Sequence, residues 1–459
     1  MNIEVEAISV EIIKPSSPTP KNIGHYKLSL IDQSAPLFYD PLVFYYTKKS
    51  TTTNINPTNI LKRSLSAILT HYYPLAGRLD KHGEEFIHCN DEGVPFVKAQ
   101  VNARLSQVLS NPVAQELGIF CPLLTRHHES DDAHQILLGV QLNMFECGGI
   151  AVGISISDKI ADALSWMRFI KTWAMMARDG TTATMLPKSL HPEFVSADLF
   201  PPRPQSVIEI KNEDLKEGIM TKIFVFNSFA IEALRAMYWD KENKIRPSRV
   251  ETLSTFMLSR FEAALSEAKA KAKAKPEKER VYTILHTVNL HPRMNPPLAE
   301  NSFGNFLVYA GTQIPASSIK GEASITSGLA MKIREAVKRL NKEYVSKLQM
   351  GEEGELSMIQ QNSESIEKRG GEVIEFLVTS LSRFHFYEID FGWGKPDWFS
   401  TGAWSFDKII AFIDTSDGKG IEAYVNLKEE DMAIFEADEM LRKFTTPNYY
   451  SRHNINSNL

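Results

Sequence analysis

The chain has 459 residues, 43% of them hydrophobic and 23% charged, and a formal net charge of −5. That balance belongs to an ordinary globular protein with sizeable cores, and it lacks the positive field of a general nucleic-acid binder. Three cysteines, Cys89, Cys121 and Cys147, are too few for a disulfide scaffold and fit a reducing compartment.

No CxxC pair or HExxH helix suggests a metal site. Residues 1–20 lack the basic and apolar regions of a secretory signal, and no apolar run reaches the ~18 residues of a membrane span. The expectation is a soluble, cytoplasmic chain of two or three domains, at about 150 residues per domain.

The elements follow in chain order. Residues 4–13 alternate polar and apolar, which predicts a strand. Residues 58–70 carry Ile60, Leu61, Leu65, Ile68 and Leu69 at helical spacing, with Thr58 or Asn59 as the cap. Tyr73-Pro-Leu-Ala-Gly77 ends that helix. Two strands are predicted within 136–156, on either side of a Cys147-Gly148-Gly149 bend. A helix over 159–178 uses Ile160, Ala163, Leu164, Met167, Ile170 and Ala174, and Gly180 closes it.

Residues 195–218 are Pro-rich and then charged, which reads as a linker. Strand 221–227 opens the second half. A long helix spans 249–275, and its Lys-Ala tail stops at Pro276. Strands are predicted at 281–290, 374–379, 408–413 and 421–427. The Asn- and Ser-rich end reads as a poorly ordered tail. The resulting division is 1–200, a linker 201–220, 221–445 and a tail 446–459.

Three motif regions carry the chemistry. The first is Phe145-Glu-Cys147-Gly-Gly149 followed by Ser157-Asp158-Lys-Ile-Ala-Asp162. The second is Asn289-Leu-His291-Pro-Arg293, with Phe303-Gly-Asn305 beyond it. The third is Asp390-Phe391-Gly392-Trp393-Gly394. In this order and spacing the chain resembles the plant BAHD acyltransferases, in particular their alkaloid-acylating branch, over nearly its whole length.

The resemblance implies an α/β fold of two chloramphenicol-acetyltransferase-like α+β domains joined by a crossover loop, with a channel between them. It implies a monomeric enzyme that takes acyl-CoA from one side and a small alcohol or amine acceptor, here an alkaloid, from the other. No metal, nucleic acid or membrane takes part. The family's His-x-x-x-Asp motif sits at mid-channel, where the His takes the acceptor's proton and the Asp holds the loop through an Arg. The Asp-Phe-Gly-Trp-Gly loop is structural.

In this sequence Asp158 stands where the family has its catalytic His. Asp162 then becomes the loop-holding acid and Arg293 its partner, although His291 replaces the first Arg of the family's Asn-Leu-Arg-x-Arg pattern. Asp390, Phe391, Gly392, Trp393 and Gly394 are structural. Lys269 and Lys271 could attract the phosphates of coenzyme A, with Ser254 and Arg260 as weaker candidates, although such a run is most simply a solvated helix face. Trp166 and Trp173 share one helix face and read as core. Cys147 reads as a small residue at a bend, since no His or helix start flanks it.

An aspartate starts near pKa 3.9 and a histidine near 6.5, so the exchange weakens a general base unless the surroundings compensate. A helix start would favour the anion, whereas burial or the like charge of Asp162 would oppose it. Three outcomes stay open. Acyl transfer could continue with Asp158 as a weak base. The fold could run a cyclisation, addition or elimination with Asp158 as base or cation stabiliser. Asp158 could be a helix cap worth about 1 kcal/mol in an inactive or purely binding protein. No histidine is placed by spacing as a substitute: His127 and His128 lie on a separate segment, and His286, His291 and His385 are scattered.

Overall fold

The computed structural model describes residues 3–446 apart from 49–55, 81–85, 111, 123–135, 204–217, 273–279, 320–322, 353 and 405. Most of the expected linker, the tail beyond Thr446, His127, His128 and the end of the Lys-Ala run lie outside the described residues.

The strands are β1 (Val5–Ile13), β2 (His25–Lys27), β3 (Tyr39–Tyr46), β4 (Arg78–Leu79), β5 (Phe86–His88), β6 (Val94–Val101), β7 (Leu138–Phe145) and β8 (Ile150–Ser157). The second half adds β9 (Ile219–Phe226), β10 (Arg280–Asn289), β11 (Leu307–Pro315), β12 (Glu372–Ser380), β13 (Trp398–Thr401), β14 (Ile409–Asp414) and β15 (Ile421–Lys428). They form two mixed six-stranded sheets, ordered β1-β6-β7-β8-β3-β13 and β11-β10-β12-β14-β15-β9, and a small sheet β2-β5-β4.

The expected Cys147-Gly148-Gly149 bend joins β7 to β8. Gly148 has φ +80°, a conformation that a Cβ would strain, and Phe145 and Gly149 close the turn by backbone bonds. β8 leads into helix Ala163–Asp179, which buries Trp166, Met167, Phe169, Ile170 and Trp173 against the first sheet. Trp173 donates its indole N–H to Ser64 at 2.9 Å, tying this helix to helix Pro57–Leu69. That earlier helix is capped by Asn56, two residues before the expected position. In the second half, helix Arg249–Lys271 opens with a Ser248/Glu251 capping box and packs Phe261 edge-on against Phe376 of β12, 5.1 Å between centroids.

The expected α/β class and two-sheet plan hold. The sequence pattern did not reveal how the halves interlock. β13 comes from the second half but pairs antiparallel with β3, placing Trp398 opposite Tyr45, and so completes the first sheet. Phe386 stacks on Phe399 at 3.9 Å, and Leu381, Phe391 and Tyr424 also join the core of the first half. A four-residue strand carries too little periodicity to be read, and burial on both faces removes its alternation.

Candidate active site

The turn after β8 presents Asp158 with both of its main-chain polar groups occupied. Its N–H donates to Phe38 O at 3.0 Å, and its carbonyl accepts from Asn305 Nδ2 at 2.7 Å. The same Asn305 amide donates to Asp32 Oδ1 at 2.8 Å. Burial raises the Asp32 carboxyl to about 6 although Ser29 and Asn305 donate to it. The turn is therefore clamped between the halves through the main chain of Asp158.

The Asp158 carboxyl lines a cavity of about 1120 Å³ whose walls come from both halves. A pocket for a single drug-sized ligand measures roughly 300–1,000 Å³, so this one has room for two substrates meeting. Asp40 of β3 shares the wall beside Asp158. It accepts from the Trp404 indole at 3.2 Å and is within hydrogen-bonding reach of the Asp158 carboxyl. Burial raises Asp40 above its ordinary value, and the bonds from Trp404, Asp158 and Trp166 only partly offset it.

Tyr309 of β11 faces Asp158 across the cavity. Burial and then the Asp158 charge push its phenol upward, so it stays a protonated donor. Trp166 is 1% exposed, also lines the cavity, and turns its indole N–H toward Asp40.

Among the described residues no histidine lines the cavity. His286 is buried against Ser254 Oγ at 3.0 Å and lowered to about 4 by burial. His291 packs edge-on against Phe306 at 5.0 Å and is also lowered to about 4, again mainly by burial. His385 occupies a turn at φ +58°.

Several expectations need correction. Asp158 is not a helix cap: the helix starts at Ala163, and its cap is Asp162, which accepts from Ser165 N at 2.9 Å. Asp162 does not pair with Arg293. Its second oxygen accepts from Phe306 N at 2.9 Å, while Arg293 donates to Asn289 O of its own turn at 2.8 Å. The loop is thus held by backbone donors. Burial raises the Asp162 carboxyl, and the bonds from Ser165 and Phe306 and then the Arg168 charge oppose it.

Of the four residues considered for coenzyme A, Lys269 lines the cavity, beside Glu372 at 3.2 Å. The others do not reach the wall. Ser254 is fully buried under His286, Arg260 faces Asp438 at 3.8 Å, and the exposed Lys271 pairs with Glu267 at 2.7 Å.

The Asp390–Gly394 loop lies off the cavity wall. Asp390 Oδ1 accepts from Gly392 N at 2.8 Å and Gly394 N at 2.9 Å, with both glycines at positive φ. Phe391 is wholly buried, edge-on to Trp173 at 4.8 Å, and Trp393 packs edge-on to Tyr46 at 5.8 Å. Cys147 accepts from Leu105 N at the bend. Trp173 is core, whereas Trp166, expected to be core, also faces the cavity.

Sequence reasoning missed Asp40, Trp404 and Tyr309. The available signal was Asp40 itself, an acid directly ahead of the apolar strand run Pro41 to Tyr46. Among the described residues no group of three His, Cys, Asp or Glu could hold a metal ion, and no helix is long and apolar enough to cross a membrane.

A family model described as the Transferase family matches residues 3–441. The chain is 36% identical to limonoid 21-O-acetyltransferase of Melia azedarach, over 98% of this chain and 99% of that protein. It is 32% identical to salutaridinol 7-O-acetyltransferase of Papaver somniferum, over 94% and 96%. Its structure is similar to the crystal structure of vinorine synthase, an enzyme of Rauvolfia serpentina, with a TM-score of 0.79 and 30% identity over 98% of this chain and 100% of that one.

Proposed function

Because this chain belongs to the Transferase family of BAHD acyltransferases, we propose that it transfers an acetyl or similar acyl group from acyl-CoA to an acceptor alcohol, with Asp158 as general base. The observation that supports this most is the placement of Asp158: its main chain is clamped, and its carboxyl opens into a cavity that no histidine reaches among the described residues. The acceptor is a polycyclic plant metabolite of alkaloid or limonoid type, the classes named for the salutaridinol and limonoid relatives. The protein acts as a cytoplasmic monomer.

The acceptor hydroxyl gives its proton to Asp158 as its oxygen attacks the thioester carbonyl. Tyr309, held protonated nearby, offers a donor to oxygen atoms in the cavity. The C–S bond then breaks, and Asp158 returns the proton to the leaving sulfur. Lys269 at the wall is placed to attract the phosphates of coenzyme A. Asp162 and Asn305 hold the loop rather than touch substrate.

The test is acetyl-CoA turnover with a panel of alkaloid and limonoid alcohols, read as free thiol and acylated product. The reading expects product, and a loss of about 10²-fold or more in kcat for Asp158→Asn, the usual scale for a general base. Failure of any acceptor to release thiol, or full activity of Asp158→Asn, would overturn it.

A further inference from the structure

A lone aspartate is a poor replacement for imidazole at neutral pH, because it holds protons too weakly to take one from an alcohol. The structure supplies a second carboxyl where it can change that. Asp40 and Asp158 arrive from separate segments, β3 and the turn after β8, and line the same wall of the cavity. The two segments are locked together. Tyr39 pairs with Ser157 in the β3–β8 ladder, and the Asp158 N–H is bonded to Phe38 O at 3.0 Å.

We propose that Asp40 is the positioning residue of the catalytic carboxyl: it hydrogen-bonds Asp158 when one proton is present, and its charge gives Asp158 the proton affinity that a lone aspartate lacks. This rests on the assignment of Asp158 as base.

When both carboxyls are ionised, each repels the other, and the first proton to arrive is held more tightly than by either alone. The ionised pair is the active form. In the acylation step the acceptor O–H bond breaks and its proton goes to Asp158, where Asp40 stabilises it by accepting a hydrogen bond. The oxygen forms its bond to the carbonyl carbon, the C–S bond breaks, and the sulfur takes the proton from Asp158. The pair is returned to its starting charge.

The surroundings suit this role. Trp404 donates to Asp40 at 3.2 Å, which keeps the added charge tolerable and fixes which way Asp40 turns. Trp166, from helix Ala163–Asp179, turns its indole N–H toward the same carboxyl and adds a second indole donor beside Trp404. Tyr309 faces Asp158 from β11, and Asn305 holds the Asp158 carbonyl.

Cations on neighbouring segments are engaged elsewhere. Lys159 Nζ donates to Gln33 O at 2.9 Å, Lys408 pairs with Asp407 and with Asp431, and Arg168 acts on Glu300 and Asp162. Burial raises Asp40, and the bonds donated by Trp404, Asp158 and Trp166 oppose that shift, which favours Asp40 as the accepting member of the pair.

The experiment is the pH profile of kcat/KM for the full chain with acetyl-CoA and its acceptor. Activity should rise with pH as the pair loses its last proton. Asp40→Asn removes the repelling charge, so the acid limb should move down by about one pH unit or more, the scale of a like-charge effect. The plateau should fall about 3- to 10-fold as the base weakens.

Trp404→Phe removes a donor to the Asp40 carboxylate, so its acid limb should move up. The opposite signs separate this role from loss of packing, which lowers activity without moving the limb. A limb that stays fixed in both variants, while Asp158→Asn is inactive, would overturn the pair and leave the base intact. An active Asp158→Asn enzyme would overturn both.

Discussion

The Ser157–Asp162 turn and the Asp390–Gly394 loop are both short acidic motifs, yet their first aspartates are used in opposite ways. Asp390 turns its carboxylate back on its own loop and accepts two backbone N–H groups, at 2.8 and 2.9 Å. Asp158 has its main chain held by Phe38 and Asn305, and its carboxyl faces the cavity and another acid. A carboxylate occupied by backbone donors is spent on holding its own loop. One whose backbone is satisfied independently can be aimed and given to chemistry. Within the first motif the work is divided: Asp162 takes the backbone donors Ser165 N and Phe306 N, and Asp158 faces the cavity.

The largest effect that could break this comparison is on turnover. Asp158→Asn should lower kcat by about 10²–10⁴-fold while the melting temperature stays near wild type, because Asn is nearly isosteric and keeps one oxygen acceptor. A large loss of stability with unchanged turnover would reverse the assignment.

At the other motif the pattern should invert. Phe391→Ala removes a wholly buried ring that contacts Trp173 and Trp393, so chemical denaturation should show a loss of about 3–5 kcal/mol. The folded fraction should keep its kcat and KM, since the loop does not reach the cavity.

Gly392→Ala is the next step down. Gly392 sits at φ +112° with Arg178 Cα 3.3 Å from where a Cβ would lie. The strained backbone should cost about 1–3 kcal/mol in the same denaturation assay, again without a change in KM. A KM shift for acyl-CoA would place the loop in the binding machinery.

Much of the fold was legible because its elements are long and patterned. The alternation of 4–13 is β1, the spacing after Ile160 is the helix at Ala163–Asp179, and Gly180 closes it in the left-handed conformation. The helix began four residues later than its periodicity, because Ile160 and Ala161 are buried in the turn and continue the apolar pattern without being helical. The motif turn was legible as a site, but its partners were not. Asp40, Trp404 and Tyr309 are separated from Asp158 by more than a hundred residues along the chain, and only strand pairing and the β13 crossover bring them together. The second sheet, with its parallel β10-β12-β14 centre, likewise could not be ordered from local pattern.

The smallest effect tests the part of the site that resemblance alone placed wrongly. If Asp162 and Arg293 formed a partly buried ion pair, removing one partner would strand the other, and breaking such a pair costs about 3–5 kcal/mol. The observed bonds imply otherwise. Asp162→Ala loses a helix cap and leaves the Phe306 N–H without its acceptor, so stability should fall by about 1–3 kcal/mol. Arg293→Ala loses only a bond to the carbonyl of its own turn, so about 0.5–1.5 kcal/mol is expected. Since the two side chains share no partner, the double variant should equal the sum within about 0.5 kcal/mol. A coupling well above that in the denaturation cycle would restore the ion pair. Additivity would mean that backbone donors, rather than a salt bridge, keep Asp158 aimed at the cavity.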